Sequence, residues 1–366
     1  MIIFATGISG SGRLEYLRQV EELSGGKLEI VDIGSLMFEK SEQLGISIPQ
    51  GKILDLDHFA LSYLRAVTFE EVLRKVDKYR GASEKDLVIS THTCFRWKKH
   101  LVPAFNFYYL NRIDPDLYIT IIDNAHYVWA RLQRSHWRGR LSLKDILVWR
   151  DEETFITSML AEYQRKPFYL ICRGESPSLL WNIIDQVERP ALKGEEKKAL
   201  KAYLSYPMTY VRNDRELMRT KDEIKERLRE AGIIVFDPIA TEEADIIGLA
   251  ADAKSRSQEY VEFELEGSSF KLPVSEVEAA KDDIIDQIVA RDYRLIDQSN
   301  IIIVYYPVTT LSAGVLSEIN YGFTHNKDVY AIFPQEEKSP FFTYYTTKVF
   351  RDVDQLLEHL KATGRI

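Results

Sequence analysis

Short apolar runs, each followed by a polar loop and an amphipathic stretch, recur along this 366-residue chain. Residues 2–6 are apolar and lead through a glycine-bearing loop into an amphipathic stretch that starts at residue 14. The same order returns later, where apolar residues 300–306 precede a loop and a helical pattern within residues 312–323. Strands that alternate with helices in this way predict an α/β protein with parallel strands. We expect two doubly wound parallel-sheet domains.

A polar, charged stretch divides the chain into two such halves. Residues 188–198 carry Pro190 and Gly194 among charged side chains, a composition typical of an inter-domain connection. The length of the chain also suits about two domains. We therefore predict a first domain at residues 1–187, a linker at 188–198 and a second domain at 199–366.

The composition narrows the classes of partner. Hydrophobic residues make up 45% and charged residues 28% of the chain. Because no apolar run approaches the roughly 18 to 20 residues of a membrane span, we expect no membrane partner. The first residues lack the basic region of a signal peptide, so we expect a cytoplasmic protein. The net charge of −8 disfavours nucleic acid, and a small phosphorylated ligand is expected instead.

The two cysteines do not indicate a metal site. Cys94 and Cys172 lie far apart in the chain and outside any metal-spaced cluster. We interpret them as core thiols, and no metal ligands are predicted.

The first glycine loop has the spacing of a phosphate-binding P-loop. Four residues separate Gly7 from Gly12, Gly10 lies between them, and a helical pattern follows. Backbone N–H groups and a helix N-terminus can cradle phosphates in this order. Arg13 stands where a P-loop lysine would reach the phosphates, and Leu14 replaces the hydroxyl residue that would hold Mg²⁺. Phosphate binding by the three glycines and Arg13 is therefore better supported than phosphoryl transfer.

Several stretches of the first half resemble the archaeal type of adenylate kinase. They occur in the family's order, at residues 7–12, 34–39, 91–92, 101–103 and 111–115. The resemblance implies a nucleotide-binding domain with ATP and Mg²⁺ as candidate ligands. Ser90 stands where that family usually has an acidic residue that helps to order Mg²⁺. We therefore expect weak or absent kinase activity.

An arginine-rich segment resembles the short lid of the same family. The candidates for phosphate contacts in it are Arg131, Arg134, Arg138 and Arg140. Arginines beyond a strand suit the clamping of phosphoryl groups. Basic residues on a solvated helix face are the alternative interpretation.

In the second half, Glu318 lies on the helical pattern that follows the apolar run at residues 300–306. Ligand sites of open α/β sheets lie at the carboxyl ends of strands, which makes Glu318 a candidate catalytic carboxylate. An ordinary carboxylate near a helix N-terminus is the alternative. Asp292 lies on a predicted helix that leads into the same strand.

Three separated motifs resemble the nucleoside 2-deoxyribosyltransferase family, including its branch that hydrolyses deoxynucleoside 5′-monophosphates. They are residues 203–207, residues 291–304, and residues 312–314 followed by 318–322. The resemblance implies a Rossmann-like or flavodoxin-like domain whose glycosidic chemistry requires no cofactor. Tyr206 and Asn320 depart from the family's pattern and put substrate size and turnover in question.

The same resemblance implies roles for individual residues. Glu318 would be the nucleophile at C1′ of the sugar, and Asp292 the acid or the group that orients the base. The predicted substrate contacts are Tyr203, Asp237, Ser312 and Gly314, with Ser312 and nearby amides receiving a 5′-phosphate. Packing, helix capping and solvation are the alternative roles for these side chains.

We therefore expect an enzyme of nucleotide metabolism, an N-glycosidase or 2-deoxyribosyltransferase acting on a (deoxy)nucleoside or its 5′-monophosphate. One alternative is an active nucleoside monophosphate kinase with a regulatory second half. The other is a nucleotide sensor without catalysis. Because both families build sites or cores across subunit contacts, a homo-oligomer is also expected.

Overall fold

The structure, a computed structural model, describes residues 1–48, 52–82, 85–97, 100–189, 199–241, 243–335 and 340–366. Most of the predicted linker, residues 190–198, lies outside the described residues. By their contacts the residues form two units, Met1–Trp181 with Thr241–Gln287, and Asn182–Ala240 with Ile288–Ile366. The predicted boundaries, which keep residues 199–366 in one domain, stay a prediction. Thr241–Gln287 groups with the first unit by contact, which a reading along the chain could not detect.

Strands and helices alternate through both units. The strands are β1 (Ile2–Thr6), β2 (Leu28–Asp32), β3 (Asp86–Ser90), β4 (Cys94–Trp97), β5 (His100–Pro103), β6 (Leu117–Ile122), β7 (Phe168–Cys172), β8 (Lys201–Ser205), β9 (Ile234–Phe236), β10 (Tyr260–Leu265), β11 (Ser268–Pro273), β12 (Ile301–Tyr305), β13 (Asp328–Ile332) and β14 (Lys348–Phe350). The helices are α1 (Arg13–Leu23), α2 (Ile33–Gln43), α3 (His58–Ala82), α4 (Phe107–Ile113), α5 (Ala125–Gln133), α6 (Leu143–Gln164), α7 (Pro177–Asn182), α8 (Met208–Asn213), α9 (Arg215–Glu230), α10 (Ala244–Ser255), α11 (Val274–Asp297), α12 (Ala313–Thr324), α13 (Pro340–Tyr345) and α14 (Val353–Ala362). Short 3-10 turns occur at Ile53–Asp55 and Pro238–Ala240, and a π-helical turn at Ile183–Glu188.

The first unit contains a five-stranded parallel sheet in the order β2-β3-β1-β6-β7. Every residue of β1 is buried, as expected for the central strand of a sheet that helices cover on both faces. The glycine loop leaves β1 at its carboxyl end and leads into α1, so the sequence order strand, loop, helix is realised. β4 and β5 form a separate antiparallel pair.

The segment Thr241–Gln287 docks on the first unit through carboxylates at helix N-termini. The buried Glu243 accepts the backbone N–H of Ala125, at the start of α5, at 2.6 Å. It also forms a two-pronged ion pair with Arg150 at 2.7 and 3.0 Å. Glu276 accepts the N–H of Leu143, at the start of α6, at 2.8 Å. Because negative charge is favoured at helix N-termini, these contacts hold the segment on α5 and α6.

The second unit contains a parallel sheet in the order β14-β13-β12-β8-β9. This is the flavodoxin-like order. All strands are parallel, but the side of the sheet on which each following strand is added changes between two neighbouring strands, here β8 and β12. On one face Leu204 and Ile303 pack with Leu228 of α9 and Leu356 of α14. The predicted α/β class with two doubly wound parallel sheets is therefore confirmed.

The helices that the structure describes lack the features of a membrane span. Within the described parts of the chain, none of them has both the length and the apolar character that crossing a bilayer requires.

Candidate functional site

The carboxyl ends of β8 and β12 bring together the strongest candidates of the second unit. Tyr203 and Ser205 lie on β8, and Glu318 lies on α12, which follows β12. Ligand sites in doubly wound sheets form where the strand order reverses, and β8 and β12 flank that position. Chain topology thus puts the predicted nucleophile beside the position in the sheet where ligand sites form.

Glu318 has one hydroxyl donor on each carboxylate oxygen. The Tyr203 hydroxyl donates to Oε1 at 2.8 Å, and the Ser205 hydroxyl donates to Oε2 at 2.5 Å. Both donor residues are 0% exposed. They are two residues apart on β8 and so share a face of the strand, which aims both hydroxyls at the same group. Sequence analysis identified Tyr203 but missed Ser205, although this period-two spacing would have identified it.

Asp292 lies close enough to Glu318 to influence its ionisation. Burial of the carboxyl group, followed by the negative charge of Asp292, raises the pKa of Glu318 from 4.5 to about 8. The hydrogen bonds from Tyr203 and Ser205 act in the opposite direction. Burial also raises the pKa of Asp292, although Arg291, 3.1 Å away, opposes the shift. A buried and a half-buried carboxyl group thus lie near each other.

This arrangement suits covalent or acid-base chemistry. A partly buried carboxylate is poorly solvated and therefore a stronger nucleophile, and burial of a neighbouring carboxyl group favours its protonated form. The two hydroxyl donors fix the orientation of Glu318 without neutralising it with a cation. A site of this kind can attack an electrophilic carbon and supply a proton to a leaving group.

Asp237 participates in a buried ion network. It accepts hydrogen bonds from the Tyr206 hydroxyl at 2.7 Å, from Lys225 at 2.9 Å and from Lys221 at 3.2 Å. Although burial opposes the shift, Lys225 and Lys221 lower the pKa of Asp237. Tyr206 belongs to the apolar core cluster rather than to the pair of residues that face Glu318. The predicted substrate contact of Asp237 stays a prediction.

Ser312 and Gly314 lie at the beginning of α12. The backbone N–H of Ser312 donates to the Tyr306 hydroxyl at 2.8 Å, so this amide is already used within the unit. A side chain added at Gly314 would meet open space. The structure thus leaves room for a ligand beside Gly314, and the predicted phosphate contact is not tested by it.

The glycine loop of the first unit needs its glycines. Gly10 and Gly12 have φ of 80° and 71°, in the left-handed region that favours glycine. A Cβ atom at Gly7 would lie 2.6 Å from the carbonyl oxygen of Ile121. The loop is therefore tightly packed against the end of β6.

The Arg13 side chain already forms hydrogen bonds with neighbouring residues of the unit. Its Nε donates to the Ser90 hydroxyl at 3.0 Å, its Nη1 donates to the Gly7 carbonyl, and Nη2 is 3.9 Å from Asp32. Burial lowers the pKa of the Arg13 guanidinium. The predicted phosphate contact of Arg13 would therefore require these bonds to be exchanged.

The residues around the loop do not fit Mg²⁺. Leu14 offers no ligand atom, and the hydroxyl of Ser90, at the acidic position, donates to Asp32 at 3.0 Å. Asp32 also accepts the N–H and hydroxyl of Ser35. Across the described residues, no group of three or more His, Cys, Asp or Glu side chains is arranged to hold a metal ion.

The arginine-rich segment is only partly directed at the glycine loop. Arg134 lies over the Phe270 ring at 4.5 Å and Arg140 over the Trp97 ring at 4.7 Å, while Arg138 is exposed. Arg131 does reach the loop, because its Nη1 donates to the Gly10 carbonyl at 2.8 Å. The phosphate contacts predicted for the other three arginines stay predictions.

Arg173 is a further cation at the loop, and it was not predicted from the sequence. Its side chain fills the space beside Gly12, where an added Cβ would lie 2.2 Å from Nε. Arg173 directly follows β7, so its position at the carboxyl end of a strand was the available signal.

The first unit also encloses a cavity of about 230 Å³. Its wall combines aromatic rings with cations, among them Phe95, Trp97, Trp137, His92, Arg13 and Arg65. Burial lowers the pKa of Arg65. A planar ring with an anionic group matches this lining.

A family model for an AAA domain matches residues 6–149, which is less than half of the chain. The glycine loop and the parallel sheet of this region agree with that similarity. The finer resemblance to archaeal adenylate kinase is not resolved by the match.

Several solved structures are similar to about half of this chain. A 2-deoxyribosyltransferase from Bacillus psychrosaccharolyticus is 17% identical, with 43% of this chain and 90% of that chain covered and a TM-score of 0.29. Shikimate kinase from Acinetobacter baumannii is 13% identical, with 50% and 90% covered and a TM-score of 0.33. A sugar kinase from Janibacter is 14% identical, with 50% and 91% covered and a TM-score of 0.30. These TM-scores are too low to support an argument about this chain.

Proposed function

We propose that the second unit cleaves or exchanges the N-glycosidic bond of a (deoxy)nucleoside or its 5′-monophosphate. The observation that supports this proposal is the state of Glu318, whose carboxylate is held by Tyr203 and Ser205 and has its pKa raised to about 8. Nucleophilic attack on C1′ of a sugar needs such a desolvated, oriented carboxylate.

The reaction follows from the groups that surround Glu318. A Glu318 oxygen bonds to C1′ while the C1′–N bond breaks, and the bonding electrons leave with the base. Asp292, whose pKa is raised by burial, is the candidate for giving the departing base a proton. Water, or the nitrogen of a second base, then attacks C1′ and gives its proton to the ionised Asp292, while the bond from C1′ to the Glu318 oxygen breaks. The first outcome is hydrolysis and the second is transfer.

Tyr203 and Ser205 have positioning roles in this scheme. Their hydroxyls compete with C1′ for the two oxygens of Glu318, so they hold the carboxylate before attack and stabilise it again on release. Ser312 and Gly314, at the start of α12, are the proposed contacts of a 5′-phosphate.

For the first unit we propose nucleotide binding without efficient phosphoryl transfer. Arg13 is occupied by Ser90 and Gly7, and the residues of the loop do not fit Mg²⁺. The cavity beside the loop offers aromatic walls for a base. A nucleotide sensor without catalysis in either unit remains the second candidate, and the proposed homo-oligomer is tested by light scattering.

The experiment that tests the function measures release of free base. Full-length protein is incubated with deoxynucleoside monophosphates carrying each base, and the free base is quantified by chromatography. Glu318→Gln keeps the shape of the side chain but removes the nucleophile, so we expect base release to fall by about a thousandfold or more. Glu358→Gln, at an exposed position of α14, is the matched control and should retain wild-type activity.

Two outcomes contradict the proposal. One is base release by Glu318→Gln at the wild-type rate. The other is no base release from any nucleotide by wild-type protein, which would favour the sensor.

A further inference from the structure

Four charged side chains form a closed cluster at the glycine loop of the first unit. Arg131 pairs with Asp123 at 2.8 Å and with Glu266 at 3.0 Å. Arg173 pairs with the same two carboxylates, at 3.3 Å and 3.5 Å. Two positive charges are thus balanced by two negative charges within the unit.

The two arginines stand where an anion at the loop would need them. Arg131 donates to the carbonyl of Gly10, and Arg173 fills the space beside Gly12. Two buried donors at this place also have no hydrogen-bond partner in the described part of the chain, namely Nη2 of Arg131 and the hydroxyl of Ser11. Buried hydrogen-bond donors rarely lack an acceptor, so the presence of these two points to a ligand that accepts hydrogen bonds.

The two carboxylates differ in how firmly they are placed. The Asp123 side chain is 6% exposed and follows β6 directly. The Glu266 side chain is 47% exposed and lies at the tip of the β10–β11 hairpin. Asp123 therefore has a fixed position in the site, whereas the Glu266 side chain can move away from the arginines without disrupting the packing of the core.

The backbone at Glu266 adds a second indication. Glu266 and Gly267 form a two-residue turn with φ of 52° and 71°. Such turns favour Asn or Asp followed by glycine, and glutamate at this left-handed position is strained. Backbone strain of this kind is concentrated at positions where the residue has a functional role. The hydrogen bond from Arg131, which lowers the pKa of Glu266, is the contact that the turn presents.

We propose that Glu266 is a built-in competitor of the phosphate-bearing ligand at the glycine loop, and that this ligand binds Arg131 and Arg173 only after displacing Glu266. The ligand class is a di- or triphosphate, because two adjacent guanidinium groups and loop amides match several phosphate oxygens. The inference rests on the proposed nucleotide binding of the first unit and is independent of the chemistry at Glu318.

The test uses Glu266→Asn in the full-length chain. Asn followed by Gly267 is a preferred sequence for this turn, so the variant should fold at least as well as the wild type. Inorganic pyrophosphate and ATP are titrated by calorimetry at low ionic strength. We expect Glu266→Asn to bind pyrophosphate about three- to tenfold more tightly than the wild type, the size of two partly exposed ion pairs.

Glu264→Gln is the matched control, since Glu264 is an exposed carboxylate two residues away on the same hairpin. It removes the same charge, but among the described residues Glu264 forms no ion pair with Arg131 or Arg173, so the affinity of this variant should stay at the wild-type value. Arg173→Gln should weaken binding in both the wild-type and the Glu266→Asn background.

Three results would overturn the inference. They are equal affinity of Glu266→Asn and wild type, absence of binding by Glu266→Asn, and an equal gain in Glu264→Gln, which would indicate a general charge effect. Loss of base release in Glu318→Gln is measured separately, so failure here leaves the proposed reaction of the second unit intact, and the reverse also holds.

Discussion

The two units hold their functional carboxylates in opposite ways. In the second unit Glu318 is held by hydroxyl groups, and burial raises its pKa to about 8. In the first unit Glu266 is held by guanidinium groups, and the hydrogen bond from Arg131 lowers its pKa. The same side-chain type is therefore the proposed nucleophile in one unit and a counter-ion of arginines in the other. The comparison teaches that the partner decides the chemistry of a carboxylate more than its position after a strand.

Asp237 of the second unit is also a carboxylate that is held by cations. It is buried, and two lysines and a tyrosine hydroxyl donate hydrogen bonds to it. The comparison therefore predicts that Glu318 serves reactivity and Asp237 serves stability. Three measurements can break or sharpen this division.

The largest effect is expected from Asp237→Asn. Removing the negative charge leaves the buried Lys221 and the nearby Lys225 without their shared partner, and breaking a buried pair costs about 3–5 kcal/mol. We expect the free energy of unfolding, measured with urea, to fall by about that amount. Asp222→Asn is the control, because this exposed partner of Lys221 should contribute less than about 1 kcal/mol. Unchanged stability with a raised KM would instead support the predicted substrate contact of Asp237.

The next effect is the pH dependence of base release. The nucleophile must be ionised, and the ionised fraction of a group with a pKa of about 8 rises with pH until that value. We expect kcat/KM to rise about tenfold per pH unit well below the pKa, and about fiftyfold from pH 6 to pH 8. The profile is measured at constant ionic strength, with circular dichroism confirming the fold at each pH. A plateau that begins near pH 5 would show that Glu318 is not held as described.

The smallest effect is expected from Ser205→Ala. The hydroxyl of Ser205 lowers the pKa of Glu318, so its loss should move the rising limb of the pH profile to higher pH. We expect base release at pH 7 to fall by about tenfold, the cost of one hydrogen bond to a charged group. Ser205→Thr keeps a hydroxyl and should restore much of the activity. A fall in rate without a shifted profile would assign Ser205 to packing alone.

The candidate site was partly predictable. Glu318, Tyr203 and Asp292 could be identified because strand, loop and helix patterns place residues at the carboxyl ends of strands. The glycine loop was predictable for the same reason. Ser205 lay within the predicted motif, yet nothing in the sequence said which oxygen of which carboxylate its hydroxyl would reach.

The contacts that separate the two kinds of carboxylate were not predictable. Arg173, Asp123 and Glu266 come from three distant parts of the chain and meet only because Thr241–Gln287 groups with the first unit. A pattern along the chain cannot report a contact between segments that are far apart in the sequence. The engagement of Arg13 by Ser90 and Gly7 is equally a matter of packing.

By itself, the sequence determined the α/β class, the two parallel sheets, the glycine loop and the place of Glu318 after a buried strand, because hydrophobic periodicity and glycine spacing are local properties. Only the tertiary structure decided the raised pKa of Glu318, the lysine partners of Asp237 and the ion pairs between Glu266 and the two arginines. These depend on burial and on distances between remote side chains, and both are set when the chain packs.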